Sequence, residues 1–171
     1  LITKAADAGY KLIIILAGVH ESLRCQTQIR LNEEFIGKDN IEGKEEIIGV
    51  KKTFPDHKDV FGYTTREEGG DFHKLVKKHG RAVPQIDGPP FLLVVKKNVS
   101  ILKNIIAWTE YFSKKTEKGK YIVESIPLLL IDDECDYASV NTKKTERDSF
   151  GNVIEEWDPA QTNKQIRTLL H

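Results

Sequence analysis

Apolar residues in this chain fall into three short uninterrupted runs set apart by long polar stretches. The runs are 12–16 (LIIIL, the end of the 10–16 segment YKLIIIL), 91–95 (FLLVV) and 128–131 (LLLI). Such a run is short for a helix and lacks the alternation of a half-solvated strand, so each predicts a strand covered on both faces. Between the runs the period changes to that of a helix. From 22 to 35, Leu23, Thr27 and Leu31 recur at helical spacing, with Arg24, Gln26, Gln28 and Arg30 on the other positions. After Asn98, a good helix cap, Ile101, Ile105, Trp108 and Phe112 form a stripe flanked by Val99, Leu102 and Ile106. That helix should stop near Lys114-Lys115, before Gly119. Residues 3–8 read as the end of a helix closed by Gly9, and Asp158-Pro159 opens a last helix through Leu170. Strands alternating with helices imply βαβ units and a parallel sheet, hence an α/β fold.

The stretch 37–90 breaks this pattern. It is rich in Gly, Lys, Glu and Pro, with short apolar patches at Ile47-Ile48 and Val60-Phe61. A short helix over 71–78 and a connector over 84–90 are the elements it offers. It is expected to be an insertion or a loosely structured flap on a single domain spanning 1–171. A polar loop should fill 139–157.

At 171 residues the chain can bury one core. Charged residues make up 30% of it and cancel to a net charge of zero, so any nucleic-acid partner must find a local patch. The two cysteines, Cys25 and Cys135, fit neither a metal-ligand nor a disulfide pattern, which points to a reducing cytoplasm. No apolar run approaches a membrane span, and the start lacks a signal-peptide profile. The chain contains no methionine, which suggests a piece of a longer protein.

The chemistry is concentrated where the third apolar run ends. Leu128-Leu129-Leu130-Ile131 passes directly into Asp132-Asp133-Glu134-Cys135-Asp136. Acids crowded at a strand end are costly unless a cation faces them. Asp133, with Asp132 beside it, is the candidate Mg²⁺ ligand, and Glu134 the group that polarises an attacking water. Asp132 and Asp136 would otherwise stand behind Asp133 as supporting acids or pair with an arginine elsewhere. The simpler alternative is a solvated acidic loop. Ligands in open α/β sheets bind beyond the carboxyl ends of strands. Ser22, Arg24 and Gln26 after the first strand could therefore grip phosphates, as could Lys96, Lys97 and Asn98 after the second. Spacing alone favours a polar outer face for 22–26, and 96–98 could equally be solvated surface. His57, His73 and His79 show no metal-binding spacing, and the triplets 42–44 and 56–58 carry little weight in a chain so rich in acids and lysines. The phosphate loop GxxxxGK[ST] does not occur, so half of a nucleotide site is missing.

Taken together, three segments resemble the endonuclease Z1 domain, a relative of the superfamily-two helicase-like P-loop ATPases found in bacterial restriction and defence proteins. They are KAADAGYKLIIILAGVHESLRCQTQIRL, FLLVVKKNVSILKNIIAW, and LLLIDDECDYASVN with TNKQIRTLL; TTREEGGDF at 64–72 echoes the same family. The resemblance implies a partial RecA-like lobe lacking its phosphate-loop segment. It makes Asp133 and Glu134 the Mg²⁺–ATP hydrolysis motif of a complete parent. It also places DNA near Ser22, Arg24, Gln26 and Arg30, with Lys96, Lys97 and Asn98 a family motif of no assigned role. Mg²⁺ and ATP are expected in that parent, together with the rest of the polypeptide: a phosphate loop and a second RecA-like lobe. The chain alone should bind neither tightly. Two alternatives stay open: a metal-dependent DNA endonuclease using the acid cluster directly, and a non-catalytic nucleic-acid or protein binding module.

Overall fold

A computed structural model describes residues 1–41, 44–72, 82–133 and 159–170. The three apolar runs become strands β1 (Leu12–Ala17), β5 (Phe91–Val95) and β8 (Leu128–Asp133). They lie side by side in one parallel sheet of order β4-β5-β1-β8, with β4 (Phe61–Gly62) at the far edge. Leu12 pairs with Phe91 on one side and Leu128 on the other, and the register runs on to Ala17 opposite Asp133. The α/β class expected from the sequence is therefore present, as a four-stranded parallel sheet flanked by helices.

Alternation along each strand divides the core in two. Leu12, Ile14 and Leu16 join Phe91, Leu93 and Val95 on one face. Helix α4 (Val99–Thr109) covers that face through Ile101, Leu102, Ile105 and Trp108. The last helix, α5 (Pro159–Leu170), adds Ile166 and Leu169. Ile13, Ile15, Ala17, Leu92 and Val94 turn to the other face and meet Leu31, Phe35 and Ile36. Each side chain of this size taken fully from water contributes about 1.5–3 kcal/mol, which is why strand interiors tolerate no polar residue.

Local signals explain most helix ends. Helix α1 (Ile2–Asp7) stops before Gly9, whose φ of 96° is left-handed. Asn98 caps α4, its Oδ1 accepting N–H bonds from Ser100 at 2.8 Å and Ile101 at 3.4 Å. Helix α2 (Glu21–Leu31) continues into a π-helical turn, Asn32–Ile36, closed by Gly37 at φ 75°. That widened turn places Phe35 and Ile36 in the core, and its Asn32 in a buried polar chain.

The stretch expected to be an insertion or flap is in part integral to the core. Strands β2 (Lys38–Ile41) and β3 (Lys44–Ile47) form a separate antiparallel pair, followed by α3 (Gly49–Thr53). Beyond it, β4 enters the main sheet beside β5, and Tyr63 and Phe72 are fully buried against Trp108. The sequence misled because these aromatics come singly among polar residues and bury through tertiary contact. A methyl group on Gly49 would run into the carbonyl of Glu33, so this glycine lets α3 lie directly on the π-helical turn. The final residues of the expected 71–78 helix, with His73 and His79, lie outside the described residues, as do the polar loop 139–157 and the Asp158 cap. Among the described residues no helix is long and apolar enough to cross a membrane.

Candidate functional site

All four strands point the same way, so their carboxyl ends share one rim, the place where open α/β sheets bind ligands. Two adjoining cavities open there. One, of about 310 Å³, is lined by Ala17, Leu23, Gln26, Thr27, Arg30 and Asp133. The other, of about 420 Å³, shares Thr27, Arg30 and Asp133 and continues over Ile15, Leu31, Phe35 and Ile131 toward the start of α1. The result is a cleft with an apolar floor and a polar lip of carboxylate, guanidinium, amide and hydroxyl.

The two adjacent acids of β8 have different fates. Strand geometry sends neighbouring side chains to opposite faces. Asp133 follows Leu129 and Ile131 to the cleft side, where it is exposed. Asp132 follows Leu128 and Leu130 toward α4, where the fully buried ammonium of Lys97 meets its Oδ1 at 2.5 Å. The expectation that Asp132 joins Asp133 on one metal is thus corrected: one acid neutralises a buried lysine, and the other faces the cleft. Glu134, Cys135 and Asp136 lie outside the described residues.

The basic residues assigned to nucleic acid also divide. Ser22, Gln26 and Arg30 are exposed on α2, and Arg30 is 75% exposed beside Glu34 at 3.1 Å. Arg24 is fully buried. Its guanidinium donates to Glu21 Oε1 at 2.6 and 2.8 Å and to the carbonyls of Thr65 at 2.7 Å and Glu67 at 3.0 Å. Lys97 is committed to Asp132, Lys96 pairs with Glu21 Oε2 at 2.7 Å, and Asn98 spends its side-chain oxygen capping α4. Arg24 and Lys97 are therefore corrected from phosphate contacts to internal braces. A helix period counts positions, but it cannot show that the 63–72 segment covers one side of α2.

Glu21 is the hub of this brace and gave no signal in the sequence. Partial burial would raise its pKa, but hydrogen bonds and charge from Arg24 and Lys96 hold the carboxyl down at about 2. Asp71 lies nearby, accepting N–H bonds from Phe72 at 2.7 Å and Lys96 at 3.2 Å. Burial outweighs those bonds and pushes its carboxyl above the ordinary value. A second chain of bonds runs beneath. Thr64 Oγ1 donates to Gln28, Gln28 to Asn32, and Asn32 to Asp39, with Arg66 at the outer end. Thr64 and Asp71, near the two ends of the TTREEGGDF segment, are thus fasteners between loop, helix and strand. Cys25 sits beside Glu21 with its thiol pKa raised by burial.

Among the described residues no group of three or more His, Cys, Asp or Glu could hold a metal ion. Among the described residues the cleft is lined by two carboxylates, Asp133 and Glu34, and Glu34 is paired with Arg30. Asp133 then suits an ion that keeps most of its waters and takes further oxygens from a phosphate ligand, as Mg²⁺ does, rather than an all-protein cage. No family model matches the chain, and no curated protein or solved structure matches it.

Proposed function

We propose that this chain is part of the first RecA-like lobe of an ATP-dependent, DNA-directed motor or switch of the restriction or defence type. The observation that carries this reading is Asp133: a carboxylate at the carboxyl end of a parallel strand, turned into a cleft while its neighbour is tied down by Lys97. In the complete protein Asp133 would hold Mg²⁺ through water, and Glu134 would orient the attacking water. The bound Mg²⁺ supplies charge neutralisation on the β- and γ-phosphates. Two features add support. Among the described residues β8 pairs on one side only, and its Leu128–Ile131 segment is half-buried where β1 and β5 are buried throughout. That edge is where the strand leading into a phosphate loop would add in the complete protein. Along the cleft, α2 offers Ser22, Gln26 and Arg30 to a nucleic-acid backbone.

The test is ATP hydrolysis by the complete polypeptide, with and without DNA. Hydrolysis should require Mg²⁺, rise with DNA, and fall by at least about a hundredfold in Asp133→Asn and in Glu134→Gln, with the fold unchanged. The chain alone should show no turnover. Turnover by this chain alone, abolished by Glu134→Gln, would contradict the half-site reading. Cutting of DNA with Mg²⁺ but no ATP, lost in Asp133→Ala, would favour the endonuclease. Loss of a basic protein partner alone would favour a scaffold.

A further inference from the structure

The hairpin between α4 and β8 carries chemistry that the cleft does not use. Strands β6 (Lys114–Lys115) and β7 (Tyr121–Ile122) pair antiparallel, with Lys114 opposite Ile122 and Lys115 opposite Tyr121. Residues directly opposite share a face of the ribbon, so Lys115 and Tyr121 lie on one side and Lys114 and Ile122 on the other. All four are exposed, leaving both faces in water. A two-stranded ribbon gains little by itself, so this one depends on its turn or on a partner. The turn is well tied: Thr116 N–H donates to Lys120 O at 2.7 Å, and Lys120 N–H donates back to Thr116 Oγ1 at 3.1 Å.

Charge and aromatic surface coincide here. Between 114 and 120 stand four lysines and one glutamate, in a chain of zero net charge. Lys114 is engaged by Glu124 at 2.6 Å, but among the described residues Lys115, Lys118 and Lys120 form no ion pair. Tyr121 is 47% exposed, and Tyr111, in the turn leading into the hairpin, is 58% exposed. The Lys115 ammonium lies 5.9 Å from the centre of the Tyr121 ring. Single-stranded nucleic acid needs both parts, cations for its phosphates and an aromatic face for an unpaired base. An acidic protein would use the lysines and leave Tyr121 without a role. A lipid surface would find one aliphatic side chain, Ile122, on the opposite face.

We propose that this hairpin binds single-stranded nucleic acid, with a base stacked on Tyr121 and phosphates against Lys115, Lys118 and Lys120. It precedes the start of β8 whereas Asp133 ends that strand, so roughly 20 Å of sheet separates the two regions. The proposal does not rest on the ATPase reading.

The experiment is fluorescence anisotropy of a labelled oligothymidylate with this chain, at low and physiological salt. Replacing Lys115, Lys118 and Lys120 together by Ala should weaken binding at least about tenfold and lower the slope of log affinity against log salt by about 2. Tyr121→Ala should cost about tenfold, while Tyr121→Phe and the triple Lys→Arg variant keep most of the affinity. Failure to bind the oligonucleotide, or binding that ignores these changes, overturns the proposal. Hairpin-dependent binding to phosphatidylserine vesicles in place of the oligonucleotide overturns it too. Dependence on Gln26 and Arg30 alone would sink the hairpin while leaving the cleft reading intact.

Discussion

Lys96-Lys97 and Lys114-Lys115 are the same dipeptide at opposite ends of the sheet, and the fold treats them in opposite ways. Lys96 and Lys97 follow β5 and are absorbed by Glu21 and Asp132. Lys114 and Lys115 follow α4 and stay in water, one held by Glu124 and the other over Tyr121. The difference is one of surroundings. At the carboxyl end three loops and a helix terminus converge, so a charge there must find a counter-charge or bear the cost of burial. At the amino end a two-stranded ribbon stands clear and nothing forces a pairing. A basic pair read from sequence thus says little about binding until its cover is known.

The largest effect should come from removing Lys97. Lys97→Ala leaves Asp132 facing a space without its cation and should destabilise the fold by about 3 kcal/mol, read by denaturant unfolding. Combining Lys97→Met with Asp132→Leu should recover most of that loss, because an apolar pair of similar size needs no counter-charge. A loss under about 0.5 kcal/mol for the single variant would mean the carboxyl-end lysine is as free as Lys115.

Acid should separate the two ends next. Glu21 titrates at about 2 in the fold against an ordinary 4.5, so its contribution is complete above pH 4.5 and is lost as pH falls toward 2. Solvent screening of this partly exposed group leaves about 1 kcal/mol. Asp71 has the opposite sign: its raised pKa means the charged form costs stability above the usual range, and protonation relieves it. Glu21→Gln should therefore flatten the loss of stability between about pH 4.5 and 2, and Asp71→Asn should remove a gain that comes with acid at pH above about 3.8, where Asp71 takes up its proton in the fold first. An unchanged profile in Glu21→Gln would remove Glu21 as the hub. The smallest effect belongs to the hairpin: Lys115→Ala should move unfolding by less than about 0.5 kcal/mol at any pH.

Much of the frame was legible because its causes are local. Three apolar runs became three parallel strands, and Asn98 and Gly9 ended helices where their chemistry allows. At the site the sequence located the strand end that carries Asp133; that Gln26 and Arg30 of α2 line one cleft with it comes from the packing of α2 on the sheet. Less visible was the 60–72 segment, whose Tyr63 and Phe72 fill the core from a stretch with no period. Its Thr65 and Glu67 carbonyls also turn Arg24 from a surface cation into a buried brace.

Three strands, two helix stripes and the acids at the end of β8 are written along the chain, because burial on two faces and helical period both act between near neighbours. Which charges are paired is set by packing in three dimensions. Arg24 and Lys97 find partners 41 and 35 positions away, at Thr65 and Asp132, and Asp133 faces the cleft because the pleat turned its neighbour the other way. Pairing of charges depends on distance in space and on exclusion of water, and neither is written along the chain.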